Sequence, residues 1–161
     1  MSFLSRFGKR GAPTPSNNAE RDQRLLDEAR EQIAKYLADG NNAAAGALCA
    51  KLRGTGAGLR LEPAQYAPAI KGLLAAGRFP EGARLLSDWI EIQPDQAHAL
   101  RLRLAQLCVD RLKRPGRALD LLVQIDPEKL TDPECLLAHE IVARAEKMQD
   151  EGLVELDDGD W

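Results

Sequence analysis

Gly77-Arg-Phe-Pro-Glu-Gly-Ala-Arg-Leu-Leu-Ser-Asp-Trp-Ile-Glu-Ile-Gln-Pro94 is the stretch whose reading decides the fold. Its first glycine tolerates the left-handed backbone that stops a preceding helix, and Pro80 suits the first turn of the next one. Leu86, Trp89 and Ile92 recur at helical spacing and give that helix one apolar face. Gly82 leaves room on it for a neighbouring backbone, and Pro94 closes the segment. Upstream, the pattern from about Ala64 to Ala76 reads as a partner helix. Pro68 follows Pro63 by five residues, so regular helix is expected only from Tyr66 or Ala67, because a proline deep inside a helix costs about 3 kcal/mol.

The same alternation of helix and breaker extends both ways. Apolar residues at Leu25, Leu26, Ala29, Ile33, Tyr36 and Leu37 predict a helix over Ala19 to Ala38, stopped at Gly40. Ala45, Leu48, Cys49 and Leu52 predict a second over Ala43 to Leu52, followed by the loop Thr55-Gly-Ala-Gly-Leu-Arg-Leu-Glu62. Beyond Pro94, an Asp95-capped helix carries Leu100, Leu104, Leu107 and Cys108, turns at Lys113-Arg114-Pro115-Gly116, and returns through Ala118, Leu119, Leu122 and Ile125. A last helix over Asp132 to Gln149 has the Thr131/Glu134 spacing of a capping box and a stripe of Leu137, Ile141, Ala145 and Met148.

This layout resembles the tetratricopeptide repeat, a 34-residue pair of antiparallel helices that stacks on the next pair. Ile33, Tyr36, Gly40 and Ala45 fall on its bulky, aromatic, glycine and alanine positions, as Gly77 to Pro94 fall on its second half. The third pair is looser: with Ala118 at the small-residue position, Pro127 is out of step. The expected fold is all-α, about three hairpins in a short right-handed solenoid with a C-terminal capping helix. A non-solenoid bundle of the same helices is the alternative. Three segments follow: a basic lead over residues 1–17, a helical-repeat domain over 18–149 and an acidic tail over 150–161.

A second resemblance covers about half the chain. Leu73-Leu-Ala-Ala-Gly-Arg-Phe79, Leu104-Ala-Gln-Leu107, Arg114-Pro-Gly-Arg-Ala-Leu119 and the closing Glu151-Gly-Leu-Val-Glu-Leu-Asp-Asp-Gly-Asp-Trp161 are similar to the helical-repeat tail of some bacterial rhomboid-family membrane proteins. The chain has neither membrane spans nor rhomboid serine and histidine motifs, so intramembrane protease activity does not carry over. What the resemblance implies is a cytosolic, adaptor-like module acting beside a membrane.

Composition agrees with a helical binding module. The chain has 161 residues, enough for one core without metal or disulfide, and aromatic residues make up only 4%. Cys49, Cys108 and Cys135 are far apart and lack a Cys-x-x-Cys, which predicts reduced buried thiols in a cytoplasmic protein. No apolar run approaches the roughly 18 residues of a membrane span, and no secretory signal is evident. The lead holds Arg6, Lys9 and Arg10 without an acid, the tail holds six acids without a base, and the body between carries 19 of each sign. A neutral body argues against general nucleic-acid binding. The lead's Phe3, Leu4 and Phe7 allow at most peripheral membrane contact through residues 3–10.

Chemistry has little support. His98 and His139 lack ligand partners at metal spacing and read as surface residues, while Gly54, Gly56 and Gly58 follow no strand and precede no Lys-Ser/Thr. No enzyme, cofactor or metal is expected. Three features point to binding. First helices of each pair line the concave face of such repeats, placing Arg30, Lys71 and either Arg101 or Arg103 in a groove, although the asparagines of the familiar carboxylate clamp are missing. Arg101, Arg103, Arg111, Lys113, Arg114 and Arg117 form a basic cluster interrupted by Asp110 and Asp120. The tail alternates acids with Leu153, Val154 and Leu156 and carries Trp161, a frequent interface anchor. The expected function is a non-catalytic adaptor that takes a protein or peptide in its groove. The alternative is self-assembly, the acidic tail engaging the basic cluster of the same or another copy.

Overall fold

The computed structural model describes residues 15–155; residues 3–10, where at most peripheral membrane contact was expected, and the tail residues Leu156 and Trp161 lie outside them. The described residues contain no strand and form seven α-helices: α1 Pro15–Ala38, α2 Asn42–Gly54, α3 Pro63–Ala75, α4 Phe79–Ile92, α5 Ala97–Leu107, α6 Pro115–Val123 and α7 Asp132–Asp150. Each helix packs on the next in chain order, and α1 on α3, α2 on α4 and α5 on α7 make the second-neighbour contacts. One continuous core results, running from Ile33 through Leu73, Leu86 and Leu104 to Ile141.

Three short turns have the same backbone. Gly40 and Gly77 take a left-handed φ of 73°, and Lys113 takes 56°. The next residue of each turn, Asn41, Arg78 or Arg114, donates its N–H to a carbonyl of the preceding helix: Tyr36 at 2.8 Å, Leu73 at 2.9 Å and Cys108 at 2.9 Å. One helical turn later Ala45, Gly82 and Ala118 donate to the carbonyls of those same three residues, and all three are buried. The reach is five residues in the first two turns and six in the third. The extra residue is absorbed by a π-type turn over Cys108–Leu112, between α5 and α6. Pro127 is out of step with Ala118 for a different reason: α6 has only 9 residues against 14 in α4, so the chain reaches its closing proline sooner.

Close backbone approach requires glycine at α2 and α3. A Cβ on Gly46 would stand 2.6 Å from the Ala69 carbonyl oxygen, and one on Gly72 would run into the backbone of Asn42 and Ala43. Small residues thus let α2 and α3 make the most extensive interhelical contact among the described residues. Arg53 of α2 then reaches across to Asp88 of α4 in a forked pair, with Nε–Oδ2 at 2.8 Å and Nη2–Oδ1 at 3.1 Å.

Four expectations need correction. α1 begins at Pro15 rather than Ala19, and its N-terminal half does not join the core: Leu25 is 54% exposed. The 24 residues of α1 extend about 36 Å, whereas the 13 of α2 cover only about 20 Å of it. α3 is helical from Pro63, not from Tyr66, with Pro68 inside it. The helix tolerates this because Pro68 deprives only the Ala64 carbonyl of a partner, and Ala64 is exposed to water. Asp95 caps nothing; it lies in a 3-10 turn, Pro94–Gln96, and α5 starts without a side-chain cap. Cys135 is only half-buried, unlike Cys49 and Cys108, because α7 closes the core and has one uncovered flank.

The C-terminal helix follows the sequence closely. Thr131 N–H and Oγ1 both donate to Glu134 Oε2 at 2.9 Å, and Ile141 and Ala145 are fully buried against α5 and α6. No helix among the described residues is long and apolar enough to cross a membrane.

Candidate functional site: a cation-rimmed groove

Consecutive helices leave an open groove between α3 and α5, floored by the start and middle of α4. Its volume is about 750 Å³, within the range of ligand-sized clefts. Ile70 and Leu74 of α3, Phe79, Leu86 and Trp89 of α4, and Leu107 of α5 form an apolar floor. Trp89 is fixed from two sides. Its ring stacks on Tyr66 with centroids 5.9 Å apart and planes 11° apart, and its Nε1 donates to Gln93 Oε1. Burial pushes the Tyr66 hydroxyl above its ordinary pKa, so it stays neutral under this floor.

The rim is cationic. Lys71 stands on α3, Arg103 on α5 and Arg111 on the π-type turn, all three exposed. Arg111 lies over the Phe79 ring, its guanidinium carbon 5.1 Å from the centroid, so the groove mouth is a cation–aromatic pair. Asp110 is the acid of the rim, and Arg144 of α7 pairs with it at 2.6 Å. With that acid neutralised, Lys71, Arg103 and Arg111 set the sign of the field.

The nine residues singled out in the sequence separate into groups. Lys71, Arg103 and Arg111 meet at the groove. Arg101 does not line it: the helical face that Arg103 presents there carries Gln106, Leu107 and Asp110 instead. Arg30 is on α1, paired with Asp27 at 2.9 Å, away from the groove. Arg114 and Arg117 lie at the N-terminus of α6. Leu156 and Trp161 are outside the described residues.

The α6 N-terminus holds a contact whose partners the sequence did not specify, although a tail acid meeting the basic cluster was one of its readings. Gly116 N–H donates to Glu155 Oε2 at 2.7 Å, and Arg117 N–H donates to Glu155 Oε1 at 3.1 Å. A tail carboxylate thereby caps a helix that has no local side-chain cap, in the position where the helix dipole favours an anion. Gly116 allows this approach, since a Cβ there would collide with the Glu155 carboxylate. Only the acidic character of the tail and the Arg114-Pro-Gly-Arg117 turn hinted at it.

The histidines take no part. His98, half-buried rather than on the open surface, accepts from the Asp126 N–H at 3.1 Å and ties the start of α5 to the end of the α6 segment. His139 is exposed, with Nδ1 2.7 Å from the Cys135 carbonyl oxygen. Among the described residues no group of three His, Cys, Asp or Glu side chains is placed to hold a metal ion. Burial pushes the Cys49 thiol up to about 11 and the Cys108 thiol to about 12, so neither is a nucleophile near neutral pH. Against family models, curated proteins and solved structures alike, the chain has no match.

Proposed function

We propose that the chain is a non-catalytic, cytoplasmic adaptor of tetratricopeptide-like build, three hairpins in a right-handed array closed by α7, and that it binds a protein or peptide in the α3–α5 groove. The observation that carries this reading is an apolar, aromatic floor rimmed by Lys71, Arg103 and Arg111 with the rim acid already paired. Such a site matches a short segment with one or two large apolar side chains flanked by carboxylates. The repeat reading is supported by the three equivalent turns and by helix starts at Pro63, Ala97 and Asp132, which lie 34 and 35 residues apart. It needs no cofactor.

Charge reversal tests the groove. Capture of a partner from native lysate, membranes included, is compared for the wild-type chain and for Lys71→Glu/Arg103→Glu/Arg111→Glu. All three side chains are exposed, so the variant is expected to keep its melting temperature and lose the partner. Equal recovery by both forms refutes the groove as the binding site.

Self-assembly is the second reading, favoured by one observation: Glu155 of the tail already sits at the basic α6 N-terminus. That contact is within one chain. Association between copies through the same charges would weaken as ionic strength rises, whereas binding to an apolar floor would largely persist.

A further inference from the structure

We infer that the projecting N-terminal half of α1 docks in the α3–α5 groove of a second copy of this chain. The inference rests on the groove reading above and names one occupant of that site.

The arm comes first. Every residue from Asn18 to Leu25 is exposed, and the first buried residue of α1 is Ile33. The 24 residues of α1 outrun the 13 of α2, which leaves a projection of about 16 Å. The apolar stripe does not stop where this cover does. Ala29, Leu26 and Leu25 lie within about 80° of Ile33 around the helix, so they carry the core-facing stripe out beyond the core. Asp22 stands on the same stripe, about 20° from the direction of Ile33, and makes no hydrogen bond or ion pair to any described residue. A carboxylate set in the middle of an uncovered apolar stripe calls for a surface that is apolar with cations beside it.

The groove is such a surface, and its length matches. It takes Ala67, Ile70, Lys71, Leu74 and Ala75 from α3, and Arg103, Gln106, Leu107, Asp110 and Arg111 from α5 and the turn after it. Both sets recur at three- and four-residue spacing, so each wall turns a single ridge inward and a helix-wide valley lies between. On α3 the lining runs for about 12 Å, and Asp22 to Ala29 spans about 11 Å of the arm.

The charges are complementary. Residues 18–31 hold five acids and three bases, one of which, Arg30, is already tied to Asp27. The rim offers Lys71, Arg103 and Arg111, with its acid Asp110 paired to Arg144. Leu25 and Leu26 meet the floor of Leu74, Leu86 and Trp89, and Asp22 enters between the rim cations. The arm cannot turn back into the groove of its own chain, because α1 is one unbroken helix anchored on α2 and α3. A second copy therefore supplies it.

The test is complementation with full-length protein. Asp22→Lys/Leu25→Lys spoils the arm and leaves the groove; Arg103→Glu/Arg111→Glu spoils the groove and leaves the arm. All four side chains are exposed, so both variants are expected to keep the wild-type melting temperature. A two-turn contact is small, so sedimentation is followed up to about 200 µM. Wild type should self-associate, and each variant alone should do so at least about tenfold more weakly. Mixing the two variants should restore a complex, since one brings an intact groove and the other an intact arm. Wild type that stays monomeric over this range overturns the inference. So does undiminished self-association of either variant, which means that arms pair with each other or that another surface is used, and so does a mixture that forms no complex. The groove as a site for an outside partner is judged separately by charge-reversed capture, which is unaffected by the arm, so the two readings fail independently.

Discussion

Gly46→Ala adds one methyl group to α2 where it crosses α3. The new Cβ would lie 2.6 Å from the Ala69 carbonyl oxygen and 2.7 Å from Leu73 Cγ, where ordinary contact begins at 3.4 Å. The deficit is thus about 0.7–0.8 Å against a backbone atom and against a side chain that close packing holds in place. Leu73 is fully buried and cannot turn aside, so the helices must part. Overpacking of this kind costs about 1–3 kcal/mol, while replacing glycine by alanine within a helix returns about 0.5–1 kcal/mol, leaving a net loss of up to about 2.5 kcal/mol. Gly54→Ala is the matched control on the same helix, with nothing within 4 Å of its Cβ, and should be neutral or slightly stabilising. Urea unfolding of both variants, read by helical circular dichroism, measures the difference. Stabilities equal within about 0.5 kcal/mol would refute the tight α2–α3 crossing, since helix propensity alone predicts a gain at both sites.

The remaining expectations concern thiols, acid stability, Pro68 and the Glu155 cap on α6. At pH 8 a thiol-specific reagent should modify Cys135 in the native protein, and Cys49 and Cys108 only on unfolding. Because burial raises both thiols, their contribution to stability is complete below about pH 9 and is lost as pH rises towards about 11 for Cys49 and about 12 for Cys108. The Thr131 N–H, with its hydroxyl second, holds Glu134 below the usual carboxylate range. That stabilisation is present at neutral pH and lost as pH falls through the lowered value, so Glu134→Gln should flatten the acid limb of a stability–pH curve and cost under about 1 kcal/mol at pH 7. Pro68→Ala restores an N–H for the Ala64 carbonyl and should stabilise by about 1 kcal/mol in chemical denaturation, a loss of stability showing that the ring packs instead. Gly116→Ala should evict Glu155 without harming α6, seen as faster amide exchange at Arg117; unchanged exchange would argue against the Glu155 cap.

Local features of the sequence determined most of the helices. Gly40 and Gly77 are left-handed because glycine alone has no Cβ to clash there, and Thr131 with Glu134 meet because one helical turn separates them. The apolar spacing in Gly77 to Pro94 marked Leu86 and Trp89 as core, and both are buried. These are interactions within a few residues, where chain geometry leaves few choices. Other positions were decided by packing between segments remote in sequence. Lys113 adopts the left-handed turn without being glycine, and one inserted residue becomes a π-type turn because α5 and α6 must still present buried faces to each other. That packing chose Arg103 over Arg101 for the groove: two residues are about 200° apart around a helix, so only one can face it. Likewise, nothing local joins Glu155 to Gly116. The contact exists because α7 runs back to the end where α6 begins, and an uncapped helix N-terminus attracts the carboxylate that arrives there.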